Sequence, residues 1–117
     1  MILENAVKYS YENEQEISIH FNQIDDTTLS VTISSFSPYC EIGEITNLFN
    51  KGFRGKNALK KHIEGTGIGL YFAKLVCDAN NVKIEVESDE HTTNIEDIDY
   101  STFTVTLTFY NCYDYKY

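Results

Sequence analysis

The chain reads as an α+β domain: a two-layer α/β sandwich with helices on one face of a mixed, mainly antiparallel sheet. Three features predict this. Four segments alternate apolar and polar residues with the period of a strand. Two more place their apolar residues at helical spacing. Between them runs a polar stretch that ends in three alternating glycines, Gly65, Gly67 and Gly69. Elements in the order helix, two strands, helix, loop, helix, two strands bury one another most simply as helices stacked on a single sheet.

Residues 1–10 put Leu3, Ala6, Val7 and Ser10 at helical spacing with no N-cap before them. A domain seldom opens inside a helix, so a longer parent protein is expected. Residues 11–15 read as a polar turn. Ile17, Ile19 and Phe21 then alternate with Ser18, His20 and Asn22, and Leu29, Val31 and Ile33 alternate with Ser30, Thr32 and Ser34. The turn at Asp25-Asp26-Thr27 makes these a hairpin. Residues 34–40 read as a loop around Pro38, and 41–49 as a short helix. Residues 50–64 gather Lys51, Arg54, Lys56, Lys60 and Lys61 with Gly52 and Gly55, the one basic island in the chain. This stretch has few apolar anchors, so it is expected to be poorly ordered without a ligand.

Ile68, Tyr71, Phe72, Leu75, Val76 and Ala79 mark an amphipathic helix over 68–79, which Asn80-Asn81 can end. Val82, Ile84 and Val86 form a third strand. Residues 88–100 are a long acidic connection. Phe103, Val105, Leu107 and Phe109 alternate with threonines in a fourth strand. The side chains expected to face inward are Ile17, Ile19, Phe21, Leu29, Val31, Ile33, Ile84, Val86, Phe103, Val105 and Leu107.

The chain's 117 residues, 42% of them hydrophobic, suffice for one domain with one core. Eighteen acidic residues against nine basic ones give a net charge of −9. That balance disfavours nucleic acid and anionic membranes as partners. Cys40, Cys77 and Cys112 are scattered and odd in number, which suits buried thiols in a reducing compartment rather than a disulfide framework. No run is long and apolar enough to span a membrane.

The glycines carry the first chemical signal. Backbone without side chains lets a ligand approach closely. The helix that follows directs unpaired N–H groups and a partial positive charge at the same place. The combination suits a phosphate chain, although a mobile loop or a plain helix entrance reads equally well from these residues alone. No Gly-Lys-Ser/Thr follows, so this is not a Walker loop, and the spacing is not G-x-G-x-x-G.

Four segments together resemble a known family. Leu3-Glu4-Asn5-Ala6-Val7-Lys8-Tyr9-Ser10 resembles the N box of sensor histidine kinases. Leu48-Phe49-Asn50-Lys51-Gly52-Phe53-Arg54 resembles their F box, and Gly65-Thr66-Gly67-Ile68-Gly69-Leu70 their second glycine box. Ser101-Thr102-Phe103-Thr104-Val105-Thr106-Leu107 looks like their closing strand. The resemblance spans nearly the whole chain. It is to the catalytic, ATP-binding domain of the GHKL superfamily, in the branch of the bacterial sensor histidine kinases.

The resemblance implies the GHKL fold, a single partial catalytic domain over 1–117, and an ATP lid at about 50–64. It implies ATP and Mg²⁺ as cofactors. Asn5 would hold Mg²⁺, Glu4 would orient or deprotonate the attacking group, and Lys8 would meet a phosphate oxygen. Arg54 would grip the γ-phosphate from the lid. Gly65, Thr66, Gly67, Ile68, Gly69 and Leu70 would cradle the phosphates. Taken alone, Glu4, Asn5 and Lys8 read as a solvated helix edge with an i,i+4 pair.

One stretch departs from the family. The first glycine box, usually D-x-G-x-G, is matched here by Ser35-Phe36-Ser37-Pro38-Tyr39, so Ser35 stands where an aspartate would meet adenine. This keeps a second reading open, a non-catalytic binding or regulatory module with weakened or lost adenine recognition. The phosphoacceptor histidine is expected in a separate dimerisation domain, since His20, His62 and His91 lack the acidic-Arg-Pro surroundings of one. Expected partners are that domain and a response regulator. A homodimer through apolar surface left open is a further expectation. The expected location is cytoplasmic, an expectation that leaves room for a membrane-anchored parent.

Overall fold

The structure, a computed structural model, describes residues 2–11, 16–60 and 69–112, without the side chains of Glu4, Asn5 and Lys8. The elements run α1 (Ile2–Tyr9), β1 (Ser18–Asp25), β2 (Thr28–Pro38), α2 (Ile42–Ile45), α3 (Lys56–Lys60), α4 (Gly69–Ala79), β3 (Val82–Ser88), β4 (Thr93–Ile95) and β5 (Ile98–Phe109). The sheet order is β1-β2-β5-β3, with β4 also paired to β5. Every pairing among the described strands is antiparallel. The two-layer α+β reading therefore holds.

The register explains the core. Side chains directly opposite one another on neighbouring strands share a face. Phe21 pairs with Val31, Val31 with Leu107, and Leu107 with Ile84. Ile33 pairs with Val105, which also pairs with Val86. One face is thus apolar from edge to edge. The other carries rows such as Ser34, Thr104 and Glu87, with the first two hydroxyls 3.1 Å apart. Helix α4 turns Ala73 and Cys77 onto the apolar face, where they bury with Cys40, Leu48, Ile84, Val86 and Val105. Ile2 of α1 and Leu70 of α4 close the cluster. Only Asn80 and Asn81 join α4 to β3, so the helix runs back along the strand. Asn81 makes the turn at φ 57°, in the left-handed region that Asn tolerates.

Three expected inward residues are solvated instead. Phe21 is 80% exposed, and Ile19 and Leu29 are exposed beside it. The alternation placed them on the correct face. However, α1 lies over β2 and α4 over β3, which leaves the β1 edge uncovered.

Three local expectations also need correction. Residues 34–38 are strand and not loop: β2 continues in register with β5 through Ser35–Phe103, Ser37–Ser101 and Pro38–Tyr100. The proline sits at the last paired position, where losing its N–H costs least. The acidic connection 88–100 contains a hairpin, β4–β5, turned by Glu96 and Asp97 at φ 51° and 68°. Two consecutive positive φ values suit the right-handed twist of a tight hairpin. Finally, the predicted helix 41–49 is shorter, with α2 confined to Ile42–Ile45.

Candidate functional site

Of the predicted site residues with described side chains, Ser35 and Arg54 both lie beside the C-terminal end of α1. Helix α1 ends at Tyr9, and Ser10 closes it, with Oγ donating to the Val7 carbonyl at 3.1 Å. Tyr11 N–H then donates to the Phe36 carbonyl at 2.9 Å. This bond fixes the end of the helix that carries Glu4, Asn5 and Lys8 beside the Ser35–Ser37 segment of β2. The side chains of Glu4, Asn5 and Lys8 lie outside the described residues, as do Gly65, Thr66, Gly67 and Ile68. Gly69 begins α4, and Leu70, half-buried, packs against the core.

Arg54 reaches the same end. Its guanidinium carbon lies 5.9 Å from the centre of the Tyr9 ring, the geometry of a cation–π contact. Tyr9 is one helical turn after Asn5, so the basic stretch and the helix predicted to hold the metal are brought together. Contrary to expectation, the first part of that stretch is built into the fold. Phe53 packs against the core, and Gly55 and Asn57 are buried. Residues 61–64 lie outside the described residues.

The end of the sheet is lined with hydroxyls. Ser35 and Ser37 are buried, with their oxygens 2.7 Å apart. Ser101, opposite Ser37, shares a hydrogen bond of 3.1 Å with Ser88, which in turn accepts from Cys40 N–H at 3.1 Å. Small hydroxyls at 35, 37, 88 and 101 thus replace the bulky apolar residues that fill the same face lower down. Of these only Ser35 is singled out in the sequence as a site residue; Ser37 and Ser101 fall within motif stretches without a role, and Ser88 is marked by strand pairing alone. Cys40 is no nucleophile: burial first, and then the nearby Glu44 carboxylate, push its thiol up to about 12.

An open groove of about 460 Å³ lies at the β3 edge, lined by Ile45, Ser88, Thr102 and Thr104 among others. Its rim carries Glu87, Asp89 and Glu90. That charge repels a polyphosphate, and among the described residues none of the predicted site residues lines it. Among the described residues no cluster of three or more His, Cys, Asp or Glu gathers to hold a metal. No helix among the described residues is long and apolar enough to cross a membrane.

The family model described as "Histidine kinase-, DNA gyrase B-, and HSP90-like ATPase" matches residues 1–111, and the chain belongs to that family. It is an ATP-binding catalytic domain of the histidine-kinase type. Among curated proteins it is similar to histidine protein kinase SaeS of Staphylococcus aureus strain USA300. The two are 36% identical over 93 residues, covering 75% of this chain and 25% of SaeS. SaeS of strain Mu50 matches equally, at 36% over 93 residues. The chain therefore spans about a quarter of the length of these relatives. Among solved structures it resembles the mycobacterial sensor histidine kinase MprB, with a TM-score of 0.78 and 20% identity. That match covers 97% of this chain and 69% of the other. At that identity the likeness speaks for the fold.

Proposed function

We propose that this domain supplies the γ-phosphoryl of Mg²⁺-ATP to a histidine in a separate dimerisation domain of a two-component sensor kinase. A response regulator would receive it next. The observation that carries the reading is the placement of Arg54 over Tyr9, at the end of the helix bearing Glu4, Asn5 and Lys8. Phosphoryl transfer needs positioning and charge neutralisation more than covalent help. Arg54 would grip the γ-phosphate from the lid, about residues 50–64, bidentately. Lys8 would meet a second oxygen. The backbone N–H groups of residues 65–70 would cradle the chain at the start of α4. Asn5 would hold Mg²⁺, which neutralises charge between the phosphates. Glu4 would orient or deprotonate the attacking imidazole. Free thiols and the need for ATP favour the cytoplasm as its location.

The test uses a protein long enough to contain the phosphoacceptor domain, incubated with γ-labelled ATP. Acid-labile, base-stable label is expected. Glu4→Gln should lower the rate about 100-fold, in the range of lost general-base catalysis, with little change in KM. An unchanged rate would remove Glu4 from the chemistry.

Base selectivity should be weak. Ser35 and Ser37 offer hydroxyls, which donate or accept, where an aspartate would only accept. Discrimination between bases needs a fixed partner that leaves the wrong base unpaired. ATP and GTP should therefore bind within about tenfold, ~1.4 kcal/mol. Ser35→Asp should widen the gap in favour of ATP. Competition binding checks both, and a strong ATP preference unchanged by the substitution would assign base reading elsewhere.

The apolar surface supports self-association. Phe21, Ile19 and Leu29 on the sheet are exposed, as are Leu3 and Val7 of α1 and Leu75 and Val76 of α4. Faces of this kind pair with other apolar faces, and a second copy is the partner we propose for the isolated domain. Light scattering should show a dimer, and a monomer at high concentration would count against it.

A further inference from the structure

We propose that Asn57 is the positioning residue of the lid, holding its leading half so that Arg54 meets the γ-phosphate; this rests on the ATP reading above. Asn57 is 1% exposed, although its neighbours Lys56, Leu59 and Lys60 are exposed. A polar side chain is buried so completely only when its hydrogen bonds are made. Here both ends of the amide are used. Nδ2 donates to the Tyr39 carbonyl at 3.0 Å, and Oδ1 accepts from Asp99 N–H at 3.4 Å.

Tyr39 and Asp99 are themselves joined, Tyr39 N–H donating to the Asp99 carbonyl at 2.8 Å. The Asn57 amide thus takes the acceptor of one residue and the donor of the other. A primary amide carries the same donor–acceptor pair as a peptide group, so it extends the strand pairing by one side chain.

The neighbouring contacts lock the same segment. The Glu44 carboxylate accepts from Glu41 N–H at 3.1 Å and from Lys56 N–H at 2.7 Å, tying α2 to α3. Lys60 Nζ donates to the Asp97 carbonyl in the β4–β5 turn at 3.3 Å. Gly55, between Arg54 and the helix, sits close against α2: a Cβ there would lie 3.2 Å from Glu44 Oε2, so the carboxylate would have to shift by a few tenths of an ångström. The link from Asn57 back to Arg54 is therefore short and confined. The β4–β5 hairpin is the anchor, and Asn57 is the pin.

If Asn57 acts through Arg54, its loss must be felt by ATP and not by ADP, which has no γ-phosphate. A merely structural role would weaken both alike. Calorimetric titration of Mg²⁺-ATP and Mg²⁺-ADP into wild type, Asn57→Ala, Arg54→Ala and the double variant reads this directly. The wild type should prefer ATP by about tenfold or more, and Asn57→Ala should cut the preference to about threefold or less. ADP affinity should change by less than about threefold. The double variant should be no worse than Arg54→Ala, because the two residues act as one unit.

Asn57→Asp is isosteric and keeps an acceptor for Asp99 N–H, but it faces the Tyr39 carbonyl with a second acceptor. It should move the preference in the same direction, and it carries the test if the alanine variant fails to fold. An unchanged preference in a folded variant overturns the proposal. So do equal losses for both nucleotides, or a wild type that does not distinguish them. A wild type that binds neither nucleotide overturns the ATP reading itself, and this inference with it.

Discussion

Replacing Asn5 by alanine is expected to weaken Mg²⁺-ATP binding by about 30-fold or more, roughly 2 kcal/mol. The expectation follows from economy of ligands. Mg²⁺ keeps most of its waters and takes few protein oxygens. Among the described residues no acidic cluster stands by to replace a lost ligand. Asn5 lies on α1 one turn before Tyr9, and Arg54 is held over the Tyr9 ring at 5.9 Å. Metal and guanidinium would therefore act on the same phosphates from neighbouring positions. The effect should be specific to the metal. With the cation removed by a chelator, wild type and Asn5→Ala should bind ATP with nearly the same, weaker affinity. Equal loss with and without Mg²⁺ would show that Asn5 supports the helix rather than the ion. Titration calorimetry in the two conditions separates the outcomes.

Ile84→Ala is expected to cost about 2–5 kcal/mol of folding stability, and Phe21→Ala less than about 0.5 kcal/mol. Both are large apolar residues on strands, and both point to the same face of the sheet through the row Phe21, Val31, Leu107, Ile84. They differ in what covers them. Ile84 is buried against α4 among Ala73, Cys77 and Val86, whereas Phe21 is 80% exposed at the open edge. Truncating Ile84 leaves a cavity that its packed neighbours fill only in part; truncating Phe21 leaves solvent. Against a total stability of about 5–15 kcal/mol for a domain of this kind, the first substitution is severe. Urea denaturation of the two variants measures the contrast. Similar costs would mean that the β1 edge is covered, by the helix layer or by the second copy proposed above.

What could be read from the sequence follows the physics of each segment. Strands with a clean period of two, such as Phe103, Val105, Leu107 and Phe109 between threonines, were legible because burial on one face writes that pattern. Residues 35–38 were not, because Ser35 and Ser37 face inward with hydroxyls and the proline beside them mimics a loop. The β4–β5 hairpin was hidden too. Its turn uses Glu96 and Asp97 at positive φ, without the Asn-Gly or Asp-Gly pair that would announce it. The exposure of Ile19 and Phe21 is a fact of coverage: alternation tells which face a residue takes and not what lies over it.

The candidate site divides in the same way. Asn5, Arg54 and the glycines are assigned through four motifs in order. Asn57 was invisible, being one polar residue in a polar stretch. Only tertiary structure shows its amide inserted between Tyr39 and Asp99.

The central claim is that this domain binds Mg²⁺-ATP as a kinase module. The most direct test is titration of Mg²⁺-ATP into the wild-type protein, followed by calorimetry. The account predicts one saturable site per chain with a Kd in the micromolar range, about −7 to −8 kcal/mol. No binding at millimolar nucleotide would contradict it.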